Sequence, residues 1–118
     1  MGRGRSGRAP LGLEHPLIVV LVTAYWINTV RTVNDPEKVA AYAALAGPAI
    51  EAAGGRFLAR GNAAAAFEQG NLLRTVIIEF ASVEAAVAAH DSSDYQRALA
   101  ALGDGAVRDI RVVEALSG

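Results

Sequence analysis

The sequence predicts one α+β domain with the element order strand, helix, strand, strand, helix, strand. Three observations predict it. Runs of β-branched and aromatic residues alternate with alanine-rich stretches of helical spacing, helix-start signals follow the first and third of these runs, and 118 residues leave room for a single core. The chain has no cysteine, which excludes disulfides, thiolate zinc sites and a cysteine nucleophile.

The first sixteen residues, MGRGRSGRAPLGLEHP, lack a periodic apolar pattern and predict a disordered arm ahead of a domain at residues 17–118. A secretory signal peptide and a myristoylation signal are the alternatives. The apolar run that begins at Leu17 has no small-residue cleavage site, and at about 11 residues it is shorter than the ~20 that a membrane span needs. We therefore expect a cytoplasmic protein without a membrane partner.

Charge is distributed unevenly along the chain. Arg3, Arg5 and Arg8 lie in the first eight residues, and the rest of the chain carries 8 basic against 12 acidic side chains, from totals of 11 and 12. An acidic body argues against nucleic-acid binding.

The first predicted strand and helix follow the arm. Residues 17–30 are rich in Val, Ile, Thr, Tyr and Trp and predict a strand centred on residues 23–30. The sequence NDPE at residues 34–37 supplies an N-cap side chain, a first-turn proline and an early carboxylate, and Gly54-Gly55 ends the helix that begins there. The apolar residues that recur in it at helical spacing are Val39, Tyr42, Leu45, Ala46, Ala49 and Ile50.

Two strands come next. Residues 56–60 predict the second strand, and Gly61 predicts a bulge or turn. Residues 62–71 are expected to form an extended segment and a loop, although AAAAFEQGN is also compatible with a helical turn. The third strand, residues 76–80, is apolar enough to be buried on both faces, with Glu79 as its lone charge.

The second helical region is predicted to consist of two short helices. Ser82 is the expected N-cap of a helix that begins at Val83. The DSSD sequence at residues 91–94 interrupts that helix, and Ser93 with Gln96 matches a capping box for the next one.

A loop at Gly103-Asp104-Gly105 and a final strand at residues 110–114 complete the βαββαβ order of the ferredoxin-like fold. Right-handed crossovers place both helical layers on one face of its antiparallel sheet and leave the other face bare. A third strand that is apolar on both faces is unsuited to contact with solvent. We therefore expect the bare faces of two copies to pack together as a homodimeric α+β barrel.

Spaced motifs extend from the first strand to the last helix. They are Tyr25-Trp26-Ile27, Asp35-Pro36, Tyr42, residues 54–61 (GGRFLARG), residues 76–80 with Ser82, Asp91-Ser92 and Tyr95-Gln96. Together they resemble the bacterial family known as domain of unknown function 1330, over about residues 23–115. The resemblance implies a ferredoxin-like fold of the dimeric α+β barrel superfamily, whose relatives include small oxygenases, isomerases and haem proteins, and it implies no established reaction.

Arg60 and Glu79 are the first candidate site residues, because a hairpin of the second and third strands is expected to make them neighbours. In a functional interpretation Arg60 binds an anionic group of a small ligand, and Glu79 orients that ligand or acts as a base. In the structural alternative the two form an ion pair that neutralises two strand charges.

His90 is the second candidate, beside Asp91 at a helix end, where it could transfer protons near neutral pH. The family usually has an aromatic residue at this position and a proline at that of Asp94. The resemblance thus also suggests that His90 fills the packing place of an aromatic ring.

Flat apolar surface with polar tips, which a pocket for a small aromatic or polyketide-like molecule needs, is offered by Tyr25, Trp26, Asn28 and Tyr95. They serve a core equally well. Strand alternation puts Tyr25 on one face and Trp26 and Asn28 on the other, and the sequence leaves open which face meets the helices.

Two functions follow from these observations. One is a cofactor-free oxygenase or isomerase acting on a small molecule, with no metal because His15 and His90 lie far apart without a carboxylate cluster. The other is a non-catalytic small-molecule-binding or structural dimerisation module. Convergence of Arg60, Glu79 and His90 on one cavity would favour the enzyme.

Overall fold

The computed structural model describes residues 21–116, which form a four-stranded antiparallel sheet with helices on one face. The predicted arm and the first residues of the predicted first strand lie outside the described residues. The elements are β1 (Ala24–Val33), α1 (Pro36–Ala52), β2 (Arg56–Asn62), β3 (Arg74–Phe80), α2 (Val83–Asp91), α3 (Ser93–Leu102) and β4 (Ala106–Glu114). The strand order β2-β3-β1-β4 confirms the predicted ferredoxin-like α+β fold.

The central strand and its neighbour β4 are longer than the sequence pattern indicates. β1 continues to Val33, and β4 begins at Ala106 instead of Ile110. The two strands are this long because Val33 pairs with Ala106. The register shifts between Val30 and Thr32, where β1 is irregular. The segment between β2 and β3 is a loop without a helix, as predicted.

The predicted irregularity at Gly61 is wrong. Gly61 pairs with Thr75 inside the β2–β3 ladder. The bulge lies earlier, because Phe57 pairs with Ile78 and Ala59 with Ile77, which leaves Leu58 as the extra residue.

Ser82 caps α2 as predicted, its hydroxyl accepting a hydrogen bond from the Ala85 N–H at 3.0 Å. The predicted capping box of α3 is wrong, because Ser92 and not Ser93 is the N-cap. The Ser92 backbone is extended and its hydroxyl accepts from a first-turn N–H, whereas Ser93 is already helical. The Gln96 side chain instead donates to the His90 carbonyl at 2.8 Å and so ties the end of α2 to the start of α3.

The two faces of the sheet have different environments, and we call them the helix face and the open face. On β1, Trp26 and Asn28 are buried against the helices while Tyr25 and Ile27 are half-buried on the open face. The same alternation continues on β3 and β4. The largest fully buried side chains, all on the helix side, are Trp26, Tyr95, Phe80 and Ile78.

Gly55 shows how closely the end of α1 packs on the sheet, and Leu45 lies away from that contact. A Cβ on Gly55 would stand 2.6 Å from Ile50 Cγ2 and 2.8 Å from Phe80 Cζ, so that this turn has room only for glycine. Leu45, which the helical spacing places among the apolar positions, is 36% exposed. Its place at the helix flank leaves Ala46 and Ile50 to form the buried stripe.

Candidate ligand-binding cavity

A cavity of about 230 Å³ lies between α1 and the helix face of the sheet. Trp26, Val76 and Ile78 contribute apolar surface from the sheet. On the helix, Ala43, Ala46 and Gly47 line the cavity, and larger side chains at these positions would occupy its space. The small residues of α1 therefore leave the cavity open.

Strand register places three polar side chains around this apolar space. Val76 on β3 pairs with Asn28 on one side and Arg60 on the other, so that these two lie in one row across the sheet. One row further along, Val30 pairs with Arg108 of β4. All three polar residues line the cavity.

Two polar atoms in the cavity are buried without a hydrogen-bond partner among residues 21–116. They are Asn28 Oδ1 and Arg108 Nη1. Asn28 as a whole is only 8% exposed. Buried polar groups in folded proteins almost always have a partner, and leaving one unpaired costs about 1–3 kcal/mol. A bound molecule or an ordered water would relieve that cost.

Tyr42 also lines this cavity, and its hydroxyl is hydrogen-bonded to that of Tyr95. The two hydroxyl oxygens are 2.7 Å apart, and the Arg108 guanidinium stacks over the Tyr42 ring at 4.5 Å from its centre. Burial raises the pKa of Tyr95, the Tyr42 hydroxyl adds to the rise, and the charge of Arg108 opposes it. Tyr95 therefore stays protonated and can donate its hydrogen to Tyr42.

The charge around the cavity is positive. Arg60, Arg74 and Arg108 line it, and none of its described lining residues is Asp or Glu. Within the described part of the chain none of the three arginines forms a salt bridge, and the Arg60 guanidinium instead stacks 4.1 Å from the Phe57 ring centre. Such a site attracts anions.

The structure brings together only some of the predicted site residues. Trp26, Asn28 and Arg60 line the cavity, and Tyr95 reaches it through its hydrogen bond to Tyr42. Tyr25 lies on the open face and is not among the residues that line this cavity.

The predicted proximity of Arg60 and Glu79 is wrong. In an antiparallel hairpin the end of β2 lies opposite the start of β3, so that Glu79, near the end of β3, pairs with Arg56 at the start of β2. Glu79 Oε1 accepts hydrogen bonds from Arg56 at 2.8 and 3.1 Å on the open face. Glu79 thus has an ion-pair partner away from the cavity.

His90 lies at the end of α2, outside the cavity lining. Its ring centre is 5.9 Å from that of Trp26 and 5.5 Å from that of Tyr95, so the imidazole packs as an aromatic ring would. Its Nδ1 lies 2.9 Å from Asp91 Oδ1, and its side chain is 44% exposed. Arg60, Glu79 and His90 therefore do not converge, and the enzyme hypothesis loses that support.

Tyr42 and Arg108 line the cavity and are not among the site residues predicted from the sequence. The helical spacing assigns Tyr42 only to the apolar stripe of the first helix, because its contact with Tyr95 spans 53 positions of the chain. Arg108 fell outside the predicted last strand. Starting that strand at Ala106 would have put Arg108 on the same face as Ile110 and Val112.

The fold and cavity define a class of small ferredoxin-like α+β proteins with a ligand-sized space between sheet and helices. The family model described as "Domain of unknown function (DUF1330)" matches residues 23–116, and this chain belongs to that family. The resemblance inferred from the motifs is thereby confirmed. No curated protein matches the chain.

The solved structures that share the fold include the three described next. A protein of unknown function from Rhodopseudomonas palustris is 22% identical with a TM-score of 0.64, over 82% of this chain and 85% of that one. SnoaB, a cofactor-independent oxygenase from Streptomyces nogalater, is 14% identical with a TM-score of 0.56, over 82% and 96%. A dimeric ferredoxin-like protein of unknown function from Thermobifida fusca is 18% identical with a TM-score of 0.56, over 85% and 97%. At these identities the likeness shows the fold alone.

Two further observations concern the described residues. Across residues 21–116 no three His, Cys, Asp or Glu side chains are grouped so that they could hold a metal ion. None of the helices in this range is long and apolar enough to cross a membrane.

Proposed function

We propose that this protein binds a small apolar molecule with an anionic group in the cavity between α1 and the sheet. The observation that carries the proposal is the combination of apolar walls with three arginines and no lining carboxylate. The cavity volume of about 230 Å³ is below the ~300–1,000 Å³ of pockets for drug-sized ligands, so the ligand should have one or two rings.

The same proposal includes a homodimer formed through the open face. Ile27 and Ile77 pair at its centre, and Tyr25 and Val113 add apolar surface beside them. Packing against a second copy would remove this surface from water, and the similar Thermobifida fusca protein is described as dimeric. The ligand cavity lies on the other side of the sheet, which leaves both sites usable at once.

A cofactor-free oxygenase or isomerase is the second candidate function. It is favoured by the Tyr42 hydroxyl, which can exchange a proton with a ligand while Tyr95 holds it and Arg108 lies against its ring. Arg108 would stabilise an enolate oxygen that forms on the ligand. SnoaB, with the same fold, is described as a cofactor-independent oxygenase.

Isothermal titration with 2-naphthylacetate tests the binding site. Trp26 is the single tryptophan of the chain and lines the cavity, so its fluorescence should change on saturation. We expect Gly47→Leu, which extends into the cavity, to weaken binding at least roughly ten-fold. Gly47→Ala is the matched control, because its Cβ would stand 3.9 Å from Arg60 Nη1 without a clash. Equal affinity in all three proteins would place the ligand elsewhere and refute the proposal.

Deuterium exchange at C2 of 1-tetralone separates catalysis from binding, since this exchange passes through an enolate. Catalysis by the cavity would make exchange faster than in buffer and would be lost in Tyr42→Phe. It would be retained in Tyr25→Phe, whose ring lies on the open face. An oxygenase would also consume dissolved oxygen. Exchange at the buffer rate without oxygen consumption would leave binding as the function.

A further inference from the structure

We propose, building on the function above, that the cavity selects a hydroxy acid, a ligand with a hydroxyl group close to its carboxylate. The two unpaired buried atoms of the cavity carry this inference. Asn28 Oδ1 is a hydrogen-bond acceptor without a donor, and Arg108 Nη1 is a donor without an acceptor, among the residues that the structure describes.

The register allows one ligand to reach both atoms. Asn28 pairs with Ile110, and Val30, the next residue on the same face of β1, pairs with Arg108. Asn28 and Arg108 are therefore diagonal neighbours on adjacent strands, with Cα atoms roughly 7–8 Å apart. Both residues line the cavity.

The chemistry of the two atoms specifies complementary groups on the ligand. A guanidinium donates hydrogen bonds only and is best matched by a carboxylate, whereas the amide oxygen accepts only and needs an O–H or N–H. A simple carboxylate would leave Asn28 Oδ1 unpaired beside a negative charge. A simple alcohol would leave the Arg108 charge unmatched. A hydroxy acid satisfies both atoms.

The remaining polar groups of the cavity fit this ligand. The Tyr42 hydroxyl, whose partner Tyr95 can donate to it, is free to donate its own hydrogen to a carboxylate beside Arg108. Arg60 lies in the same row as Asn28 on the far side of Val76 and adds positive charge at the β2 edge. The apolar body of the ligand would contact Trp26 and Ile78.

Three matched probes test the inference by isothermal titration. They are 2-naphthylglycolate as each enantiomer, 2-naphthylacetate without the hydroxyl, and 2-naphthylmethanol without the carboxylate. We expect one enantiomer of the hydroxy acid to bind roughly ten-fold more tightly than either of the others. Equal binding of the two acids would mean that water satisfies Asn28, which overturns the inference and leaves the proposed function intact. Binding of none of the three would refute the proposed function.

Two variants locate the preference. Asn28→Leu should bind the hydroxy acid no better than it binds 2-naphthylacetate. Arg108→Met should lose most affinity for both acids, with Arg111→Met on the open face as the control. Asn28→Asp keeps the shape of the side chain and adds a negative charge, so it should weaken both acids and spare the alcohol. A hydroxyl preference that survives in Asn28→Leu would overturn the inference.

Discussion

The charged side chains on the two faces of the sheet differ in whether they have an ion-pair partner. On the open face two ion pairs form, Arg56 with Glu79 at 2.8 Å and Arg111 with Asp109 at 3.1 Å. On the helix face Arg108 has no carboxylate partner among the described residues, although it is half-buried and its Nη1 is fully buried. Paired charges suit a surface that packs against another protein surface, while an enclosed unpaired charge suits a ligand site.

Arg108 and Arg111 show that the face decides the role. Both are arginines of β4, three residues apart, and strand alternation sends them to opposite sides. One meets the Tyr42 ring and the cavity, and the other meets the carboxylate of its own strand.

The largest effect is expected for Ile77→Glu on the open face. Ile77 pairs with Ile27 at the centre of the proposed dimer contact, and a carboxylate buried there on each copy without a partner would cost several kcal/mol. Light scattering at micromolar concentration should show a dimer for the wild type and a monomer for the variant. Val87→Glu on the exposed surface of α2 should remain dimeric. A monomeric wild type, or a dimeric Ile77→Glu, would contradict the proposed interface.

A smaller but specific effect is expected for Arg108→Met. Hydrogen bonds to a charged group are worth about 1.5–3 kcal/mol, so the affinity for 2-naphthylacetate should fall by roughly 10- to 100-fold. Arg111→Met removes the same charge from the open face and should bind as the wild type does. Equal losses in the two variants would indicate a general charge effect and remove the distinction between the faces.

Tyr95→Phe should lower the free energy of unfolding by about 1 kcal/mol, because it removes the hydrogen bond to Tyr42. It should also change the pH dependence. Folding raises the Tyr95 pKa, so this group contributes fully below its unfolded pKa of about 10, and its contribution is lost as pH rises beyond that value. Urea unfolding at about pH 9 and about pH 11 should show a smaller loss of stability in Tyr95→Phe than in the wild type. Parallel losses would show that Tyr95 does not couple folding to pH.

The smallest effect is expected for Arg56→Gln. The Arg56–Glu79 pair is 70% and 30% exposed at its two side chains, and exposed ion pairs contribute roughly 0.2–1 kcal/mol. Urea unfolding should therefore show a change within that range, and ligand affinity should stay unchanged. A ten-fold loss of affinity for 2-naphthylacetate would mean that the open face takes part in binding.

The fold could be predicted from the sequence because its signals are local. The period of the apolar residues, the Ser82 cap and the glycine turn at Gly103 each act within a few residues of the chain. The order of the elements then limits the topology to very few arrangements.

The site could be predicted only in part, because it depends on register and on contacts between distant elements. Trp26, Asn28 and Arg60 were found by residue type. The error over Glu79 arose from the direction of the hairpin, in which the start of β2 and not its end meets the end of β3. Arg108 was missed because the first half of β4 has a weak apolar pattern and depends on pairing with the end of β1.

A crystal structure with 2-naphthylacetate at a saturating concentration tests most directly whether the helix face is the ligand site. We predict that the naphthyl ring lies between α1 and β1 against Trp26, with its carboxylate within hydrogen-bond distance of Arg108 Nη1. A ligand bound on the open face, with the space between α1 and the sheet closed or filled by water, would contradict the account.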